Sequence, residues 1–92
     1  MLKSVASTKI AGFHYPKTDV LPDEQSRINR MLDLKSAMAV TNVEHEEIGI
    51  IVRLDNGDEV EILSDLIDVE ESFVEVRGGH LIPISAILRV EN

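Results

Sequence analysis

The side chains best suited to chemistry in this chain are the three histidines, at positions 14, 45 and 80. His45 stands in the run Glu-His-Glu-Glu, and imidazole among carboxylates is a combination that binds metals. Alternating side chains of an extended segment point to opposite sides, however, and no second histidine follows at a fixed short spacing. His80 lacks a neighbouring carboxylate that would orient it as a general base. The spacing therefore favours solvent-exposed histidines, and we predict no metal and no cofactor.

Nucleophilic catalysis has equally little support in the sequence. The chain contains no cysteine, so a thiol nucleophile, a thiolate zinc site and a disulfide framework are all excluded. Serines 64, 72 and 85 have no histidine and aspartate in a triad-like pattern beside them. The glycines at 78 and 79 match neither a P-loop nor a dinucleotide fingerprint. We therefore expect a protein that is not an enzyme.

Acidic residues form the most concentrated group of charges, in the stretch SDLIDVEES at residues 64–72. Carboxylates spaced in this way could imitate phosphates and bind a basic protein partner. The alternative is an ordinary solvated bend, and the sequence leaves both interpretations open. The candidate protein-binding residues are Asp65, Asp68, Glu70 and Glu71.

The charge is distributed unevenly between the two halves of the chain. Residues 1–40 contain six basic and four acidic side chains, whereas residues 41–92 contain three and thirteen, and the whole chain has a formal charge of −8. Binding of nucleic acid requires neutralisation of phosphates, so the second half disfavours RNA and DNA. The alternative function is an RNA-binding oligomer that uses a basic arm and helix. Its candidate residues are Lys3, Lys9, Lys17, Arg27 and Arg30.

The length of 92 residues predicts a single domain with a small core. A domain of this size gains stability from additional burial, so a homo-oligomer is expected. No window approaches the roughly 18 consecutive apolar residues that a membrane span needs, and the first residues lack the apolar core of a signal peptide. We therefore expect a cytoplasmic protein that does not associate with membranes.

One helix is predicted near the start of the domain. Pro22 suits a first helical position, and Asp23 and Glu24 complement the positive end of a helix dipole. A face of apolar spacing follows over residues 21–38, made of Ile28, Met31, Leu32, Lys35 and Met38. Residues 1–21 are interpreted as an arm with a short strand at residues 10–15, and the run Phe-His-Tyr is expected to anchor this arm. Residues 39–43, after the helix, are predicted to form another short strand.

Two hairpins are predicted in the second half. In IGIIVRLDNGDEVEIL, a three-residue loop over residues 55–57 pairs Val52 with Val60 and leaves one face apolar and the other charged. Gly57 then occupies the left-handed position. The second hairpin turns at Gly78 and Gly79, with Val76 opposite Leu81 and Arg77 opposite His80.

Pro83 is predicted to lie on an edge strand because it cannot donate a main-chain hydrogen bond. A short turn at residues 85–87 and a last brief strand then close the chain. The resulting prediction is about five short strands after one helix, with residues 22–92 as a single domain.

This order of elements resembles the Sm-like small barrel. Over residues 22–92, a helix, a strand ending in Asp-Asn-Gly, a long bent strand, a glycine hairpin and IPISAILRV follow one another as in Sm and Hfq proteins. The run Ser-Ala-Ile stands where the Hfq family has His-Ala-Ile, and RLDNGDEVEILSDL is similar to the Rho-binding antiterminator family. The resemblance implies a mainly β fold, an N-terminal helix followed by a five-stranded, strongly bent antiparallel barrel. A generic SH3-like barrel is the alternative.

Departures from the family pattern limit what the resemblance implies about function. Ile84 and Ser85 replace the Lys-His pair with which Hfq contacts RNA. No glycine interrupts Val60-Glu61-Ile62, and Leu88-Arg89-Val90 lacks the glycine of the Sm signature Ile-Arg-Gly. Sm-like proteins also contact each other through their last two strands. We therefore predict a non-catalytic Sm-like module that acts through protein contacts, in transcription or RNA metabolism.

Overall fold

The computed structural model describes residues 2–44 and 46–91, which form one α-helix and seven β-strands. Short 3-10 turns occupy Ser7–Lys9 and Ile84–Ala86. The helix and strands, in chain order, are β1 (Lys3–Ala6), α1 (Glu24–Glu44), β2 (Ile48–Arg53), β3 (Glu59–Ser64), β4 (Leu66–Val69), β5 (Phe73–Val76), β6 (His80–Pro83) and β7 (Ile87–Glu91).

The strands form two sheets, one of four strands in the order β1-β3-β2-β7 and one of three in the order β4-β5-β6. The prediction of a mainly β fold with one preceding helix is confirmed. The five predicted strands become seven because a break at Asp65 divides the long second strand and β1 adds a further strand at the edge of β3. The two sheets do not join into a closed barrel, so the predicted barrel is wrong in this respect.

The predicted register of the first hairpin is confirmed. Val52 lies opposite Val60, and the apolar residues of β2 and β3 on the same side are buried. The amide of Leu54 donates to the carbonyl of Asp58 at 2.8 Å, which closes a three-residue loop. Gly57 has a φ of 92°, a conformation in which a side chain would be strained. The charged residues Arg53 and Glu59 pair on the opposite side at 3.1 Å.

The predicted register of the second hairpin is wrong by one residue. Val76 lies opposite His80 rather than Leu81, because the loop has three residues, 77–79, and not two. Gly78 and Gly79 both adopt positive φ, 90° and 78°. The longer loop keeps the buried residues on one side of the sheet and turns Leu81 outward, since side chains alternate along a strand. Pro83 lies on β6, an edge strand as predicted.

Helix α1 begins one residue later than Asp23, whose carboxylate accepts a hydrogen bond from the amide of Ser26 at 2.9 Å. These hydrogen bonds lower the pKa of Asp23, as is usual for a carboxylate capping a helix. The helix extends to Glu44, so the strand predicted at residues 39–43 is wrong. No glycine or proline interrupts this segment, and the hydroxyl of buried Thr41 contacts the main chain of Leu66 on β4.

The buried face of α1 also differs from the prediction. The buried residues are Arg30, Leu34, Ala37 and Thr41, and Met31 and Met38 pack partly against the core. Ile28 and Leu32 are exposed, with 47% and 59% of their surface accessible. The apolar spacing was misleading because a charged residue, Arg30, occupies the centre of the buried face. Its burial depends on an ion pair that the pattern of one helix cannot reveal.

Residues 2–21 are integrated into the fold more closely than the predicted arm over residues 1–21 would be. The strand predicted at residues 10–15 is wrong, and the strand in this segment is β1, which pairs in parallel with β3. Ile10 is buried in the core, and Phe13 and Tyr15 pack against it. Burial raises the pKa of Tyr15 to about 12. The aromatic residues therefore anchor this segment, as the Phe-His-Tyr run predicted.

The core lies where α1, the inner faces of both sheets and the first segment meet. The fully buried members of the core come from the helix and from each of the strands β2 to β7. The largest of the side chains with no accessible surface are Leu34, Ile50, Ile51, Ile62, Leu66, Ile82 and Ile87.

The helix is not a membrane span: no helix within residues 2–44 and 46–91 has the length and apolar character required to cross a bilayer.

Candidate functional site

The predicted acidic residues fall into separate environments. Asp65 lies between β3 and β4, and its carboxylate accepts two hydrogen bonds from Arg77, at 3.0 Å from Nε and 3.1 Å from Nη2. This partner raises the pKa of Arg77. Glu71 is exposed in the turn between β4 and β5. Asp65 is thus already bound within the chain, and its charge is largely neutralised.

Asp68 and Glu70 lie in contact with each other. The pKa of Glu70 is raised, mainly because its carboxyl group hydrogen-bonds to that of Asp68, and further because of the negative charge of Asp68. Glu75 adds a weaker repulsion from β5, where it lies directly opposite Asp68. The structure therefore brings Asp68, Glu70 and Glu75 together at one end of the three-stranded sheet.

Glu75 was not among the predicted site residues, although the sequence contained a signal for it. In FVEVR the two valines alternate with Phe73 and Glu75, so burial of one pair exposes the other. Val74 and Val76 are fully buried, and Glu75 and Phe73 therefore point outward. The alternation alone could have placed Glu75 beside the acidic stretch.

Apolar side chains lie beside these carboxylates. Leu81 lies opposite Glu75 on β6 and is 51% exposed, and Phe73 on β5 is 37% exposed. Ile67, at the irregularity in β4, is 46% exposed. We call this surface the acidic face of the three-stranded sheet; it consists of Ile67, Asp68, Glu70, Phe73, Glu75 and Leu81.

Packing on the other side of the sheet fixes the acidic face in position. Leu66 pairs with Val76, and Val74 pairs with Ile82, so that a fully buried layer anchors each of the three strands. The turn between β4 and β5 is closed by a hydrogen bond from the amide of Glu70 to the carbonyl of Phe73, at 2.9 Å. The acidic face is therefore carried on strands rather than on a long loop.

The predicted basic residues do not form one cluster of free cations. Lys3 lies on β1, Lys9 ends the first 3-10 turn and Lys17 lies in the following coil, all three exposed. Arg27 and Arg30 both point to Asp19. Nη1 and Nη2 of Arg30 donate to the two carboxylate oxygens at 2.8 and 2.7 Å, and Nε of Arg27 lies 3.6 Å from Oδ2. The guanidinium group of Arg30 is therefore committed to Asp19, whereas Nε of the more exposed Arg27 donates to the carbonyl of Leu21 at 2.9 Å.

The hydrogen bonds around the ion pair of Asp19 and Arg30 indicate that the pair has a structural role. Nη1 of Arg30 also donates to the carbonyl of Ile87 at 3.0 Å, which joins α1 to β7. The amide of Leu21 donates to Asp19 at 2.8 Å. The guanidinium hydrogen bonds are the main reason that the pKa of Asp19 is lowered. The charge of Arg30 is thereby used to hold the first segment and the helix against the four-stranded sheet.

Of the histidines and serines considered for chemistry, His14, Ser64 and His80 lie in different segments. The main-chain carbonyl of exposed His14 accepts a hydrogen bond from Asp55, and His80 begins β6 opposite Val76. His45 lies outside the described residues. The hydroxyl of buried Ser64 donates to the carbonyl of Asp65 at 2.8 Å and accepts from the amide of Arg77 at 3.2 Å. This hydroxyl supports the bend between β3 and β4.

No group of three or more His, Asp or Glu side chains within residues 2–44 and 46–91 is arranged to hold a metal ion. Comparison of the chain with protein-family models, with curated proteins and with solved structures gave no match in any of the three. The resemblance to Sm-like and antiterminator proteins therefore stays a prediction.

Proposed function

We propose that this protein is a non-catalytic binding module that recognises another protein through its acidic face, as a regulator in transcription or RNA metabolism. The proposal rests on one observation: crowded carboxylates and exposed apolar side chains lie side by side on the same surface of the three-stranded sheet. The biological process is taken from the Sm-like resemblance alone. The proposal of a protein partner does not depend on that resemblance.

Crowding of the carboxylates supports a cationic partner. The hydrogen bond to Asp68 and the negative charge of Asp68 raise the pKa of Glu70, and Glu75 adds a weaker repulsion. A lysine or arginine placed between these carboxylates would relieve the repulsion. Binding should therefore strengthen as the pH rises through the pKa of Glu70.

The apolar side chains support a protein rather than a small cation as the partner. Phe73, Leu81 and Ile67 together expose a sizeable apolar area next to the charges. Interface cores are enriched in aromatic and aliphatic side chains, and charged rims give them orientation and faster association. A basic segment with interspersed apolar side chains fits both properties of the acidic face.

We further propose that the protein forms a homo-oligomer. Within the described part of the chain, β6 pairs only with β5, so one side of its main chain is open. Leu81 on this strand is more than half exposed, and an open edge with an apolar side chain is a typical site for pairing between copies. The small core of the domain gives such association a stabilising role.

The test is affinity capture with the immobilised full chain from a nuclease-treated lysate, quantified by mass spectrometry. The variant neutralises the carboxylates as Asp68→Asn, Glu70→Gln and Glu75→Gln. The matched control removes three exposed carboxylates from other positions, Asp55→Asn, Glu44→Gln and Glu46→Gln. We expect one set of basic proteins that the wild type and the control retain and the variant loses.

Two results would contradict the proposed function. The first is a set of captured proteins that is the same for wild type and for the acidic-face variant. The second is binding of short RNA at low salt that falls steeply as salt is added, which would instead support the alternative function based on Lys3, Lys9 and Lys17.

A further inference from the structure

Two adjoining cavities lie between α1 and β7, away from the acidic face. Their volumes are about 330 and 230 Å³. Asp33 and Val90 line both cavities, and we call the two together the helix–strand groove. The other lining residues are Ser36, Ala37 and Val40 at one end and Leu21, Ser26, Asn29, Arg30, Leu88 and Arg89 at the other.

The dimensions of the groove fit an extended chain. Its lining spans α1 from Ser26 to Val40, which at 1.5 Å per residue is about 21 Å. A β-strand rises about 3.3 Å per residue, so this length corresponds to about six residues.

The strand that borders the groove has an open edge. Within the described ranges, β7 pairs only with β2 and forms the edge of the four-stranded sheet. The carbonyl of Ile87 is already used by Arg30, but the strand continues beyond it to Glu91. An open edge can accept an added strand, whose main-chain hydrogen bonds supply affinity without requiring a particular sequence.

The groove carries a negative charge that the protein does not neutralise. Asp33, at its centre, is exposed and forms no hydrogen bond or ion pair with its side chain among the described residues. The nearby cation of Arg89 is paired with Glu91 at 2.9 Å. Specificity in an added strand comes from side chains that meet such groups, and here the complementary group is a cation.

Arg30, at the other end of the groove, is already bound to Asp19 and to the carbonyl of Ile87. Its side chain is 5% exposed and lines the groove, and its Nε is buried without a hydrogen-bond partner among the described residues. A buried donor without an acceptor is costly, and such groups are rare in folded proteins. The buried Nε offers no accessible surface to a strand in the groove, so the group left to select the side chain of a bound segment is Asp33.

We propose that the helix–strand groove binds an extended peptide segment of a partner protein, which pairs with β7 and places a lysine or arginine side chain on Asp33. The site goes beyond the acidic face and does not share residues with it. The main chain of the segment binds along Leu88–Glu91, and its apolar side chains pack on Val90 and Ala37.

The experiment is a titration of the isotope-labelled full chain, followed by NMR, with a seven-residue peptide probe that alternates valine and threonine around a central lysine. A second probe carries glutamate in place of lysine, and a third carries N-methyl groups on alternate residues. We expect amide shifts in α1 around Asp33 and in β7 for the lysine probe. The glutamate and N-methylated probes should each bind at least threefold more weakly.

Asp33→Asn should reduce the affinity for the lysine probe about threefold to fivefold and abolish the preference for lysine over glutamate. The matched control is Asp55→Asn, an exposed carboxylate in the loop of the first hairpin, which should leave both affinities unchanged. Absence of shifts at millimolar probe, equal binding of all three probes, or shifts confined to β4–β6 would each overturn the proposal. Shifts that vanish on dilution of the protein would assign the groove to a second copy instead.

Discussion

The ion pair between Asp19 and Arg30 joins the first segment of the chain to the helix and, through the carbonyl of Ile87, to β7. Arg30 is almost completely buried, and its charge is acceptable there because two hydrogen bonds to Asp19 and one to Ile87 replace its contacts with water. The ion pair therefore helps to fix the position of residues 2–23. Removal of one partner would leave an uncompensated charge in the interior.

We expect Asp19→Asn to lower the free energy of unfolding by about 2 kcal/mol at pH 7, since a charged hydrogen-bonded partner is lost. The pKa of Asp19 is lowered in the folded protein, so its contribution is complete above the unfolded value of about 3.9 and is lost as the pH falls through the folded value. In urea unfolding at several pH values, the difference in the free energy of unfolding between wild type and Asp19→Asn should become smaller below pH 4. Asp33→Asn serves as the control and should change stability little; a constant difference at all pH values would contradict the assignment.

Glu70 should have the opposite pH dependence. Its folded pKa is raised, so its contribution to stability is complete below the unfolded value and is lost as the pH rises through the folded value. Glu70→Gln should therefore raise the melting temperature slightly at pH 7 and not at pH 3.5. Glu71→Gln, in the same turn but outside the carboxyl contact, is the matched control. Equal effects of the two substitutions would disprove the interaction of Glu70 with Asp68.

Gly49 makes possible a contact on the outer side of the four-stranded sheet. The carboxylate of Glu61 lies directly over this glycine and accepts a hydrogen bond of 2.6 Å from the hydroxyl of Ser4 on β1. A Cβ at position 49 would displace that carboxylate, so Gly49→Ala should cost about 1 kcal/mol by urea unfolding. In a Glu61→Ala background the same substitution should cost nothing, and a cost that persists there would contradict this explanation.

At the scale of elements, the two faces of α1 can be distinguished by two leucines. Leu34 is fully buried, whereas Leu32 is 59% exposed. Leu34→Ala should lower the free energy of unfolding by about 3 kcal/mol, and Leu32→Ala by less than about 0.5 kcal/mol. Thermal or urea unfolding of both variants provides the measurement, with each serving as the control for the other. Similar losses in the free energy of unfolding for the two variants would instead support the buried face predicted from the apolar spacing.

The sequence predicts those elements in which a local pattern determines the structure. In the first hairpin, only one register keeps Val52 and Val60 on the same side as the other apolar residues, and Gly57 is compatible with the loop that this register requires. In the second hairpin both registers leave mixed faces, so alternation could not choose between a loop of two residues and one of three. The helix was recognised, but its buried face was not, because Arg30 is buried through a partner 11 residues away.

The candidate site shows the same limit. The acidic stretch was visible in the sequence, yet the pairing of strands decides which of its carboxylates act together. Asp65 turns toward Arg77, whereas Glu75, from a different strand, joins Asp68 and Glu70. The path of β1 was likewise hidden, since a four-residue edge strand has too few residues to show a period.

At the scale of the whole molecule, the charge of −8 sets the conditions under which copies can associate. Repulsion between like-charged copies weakens as salt screens it, while pairing of apolar edges does not depend on charge. We therefore expect light scattering to show a homo-oligomer whose mass is retained or increases between 50 and 500 mM salt. Leu81→Lys on β6 should shift the mass toward the monomer, with Leu32→Lys as the control. A monomer at every salt concentration would contradict the proposed oligomer.

Strand β1 has a consequence for the order of folding. Its partner in the sheet, β3, follows much later in the chain, and the hydrogen bond between Ser4 and Glu61 spans 57 residues. Closing so long a loop is slow relative to forming the neighbouring hairpin, so β1 is expected to dock last. It has one neighbouring strand and little buried surface, and it should therefore also detach first, exchanging its amide hydrogens before β2 and β3 do. Each detachment exposes the edge of β3 for a moment, and a second β1 from another copy could then take the vacant place.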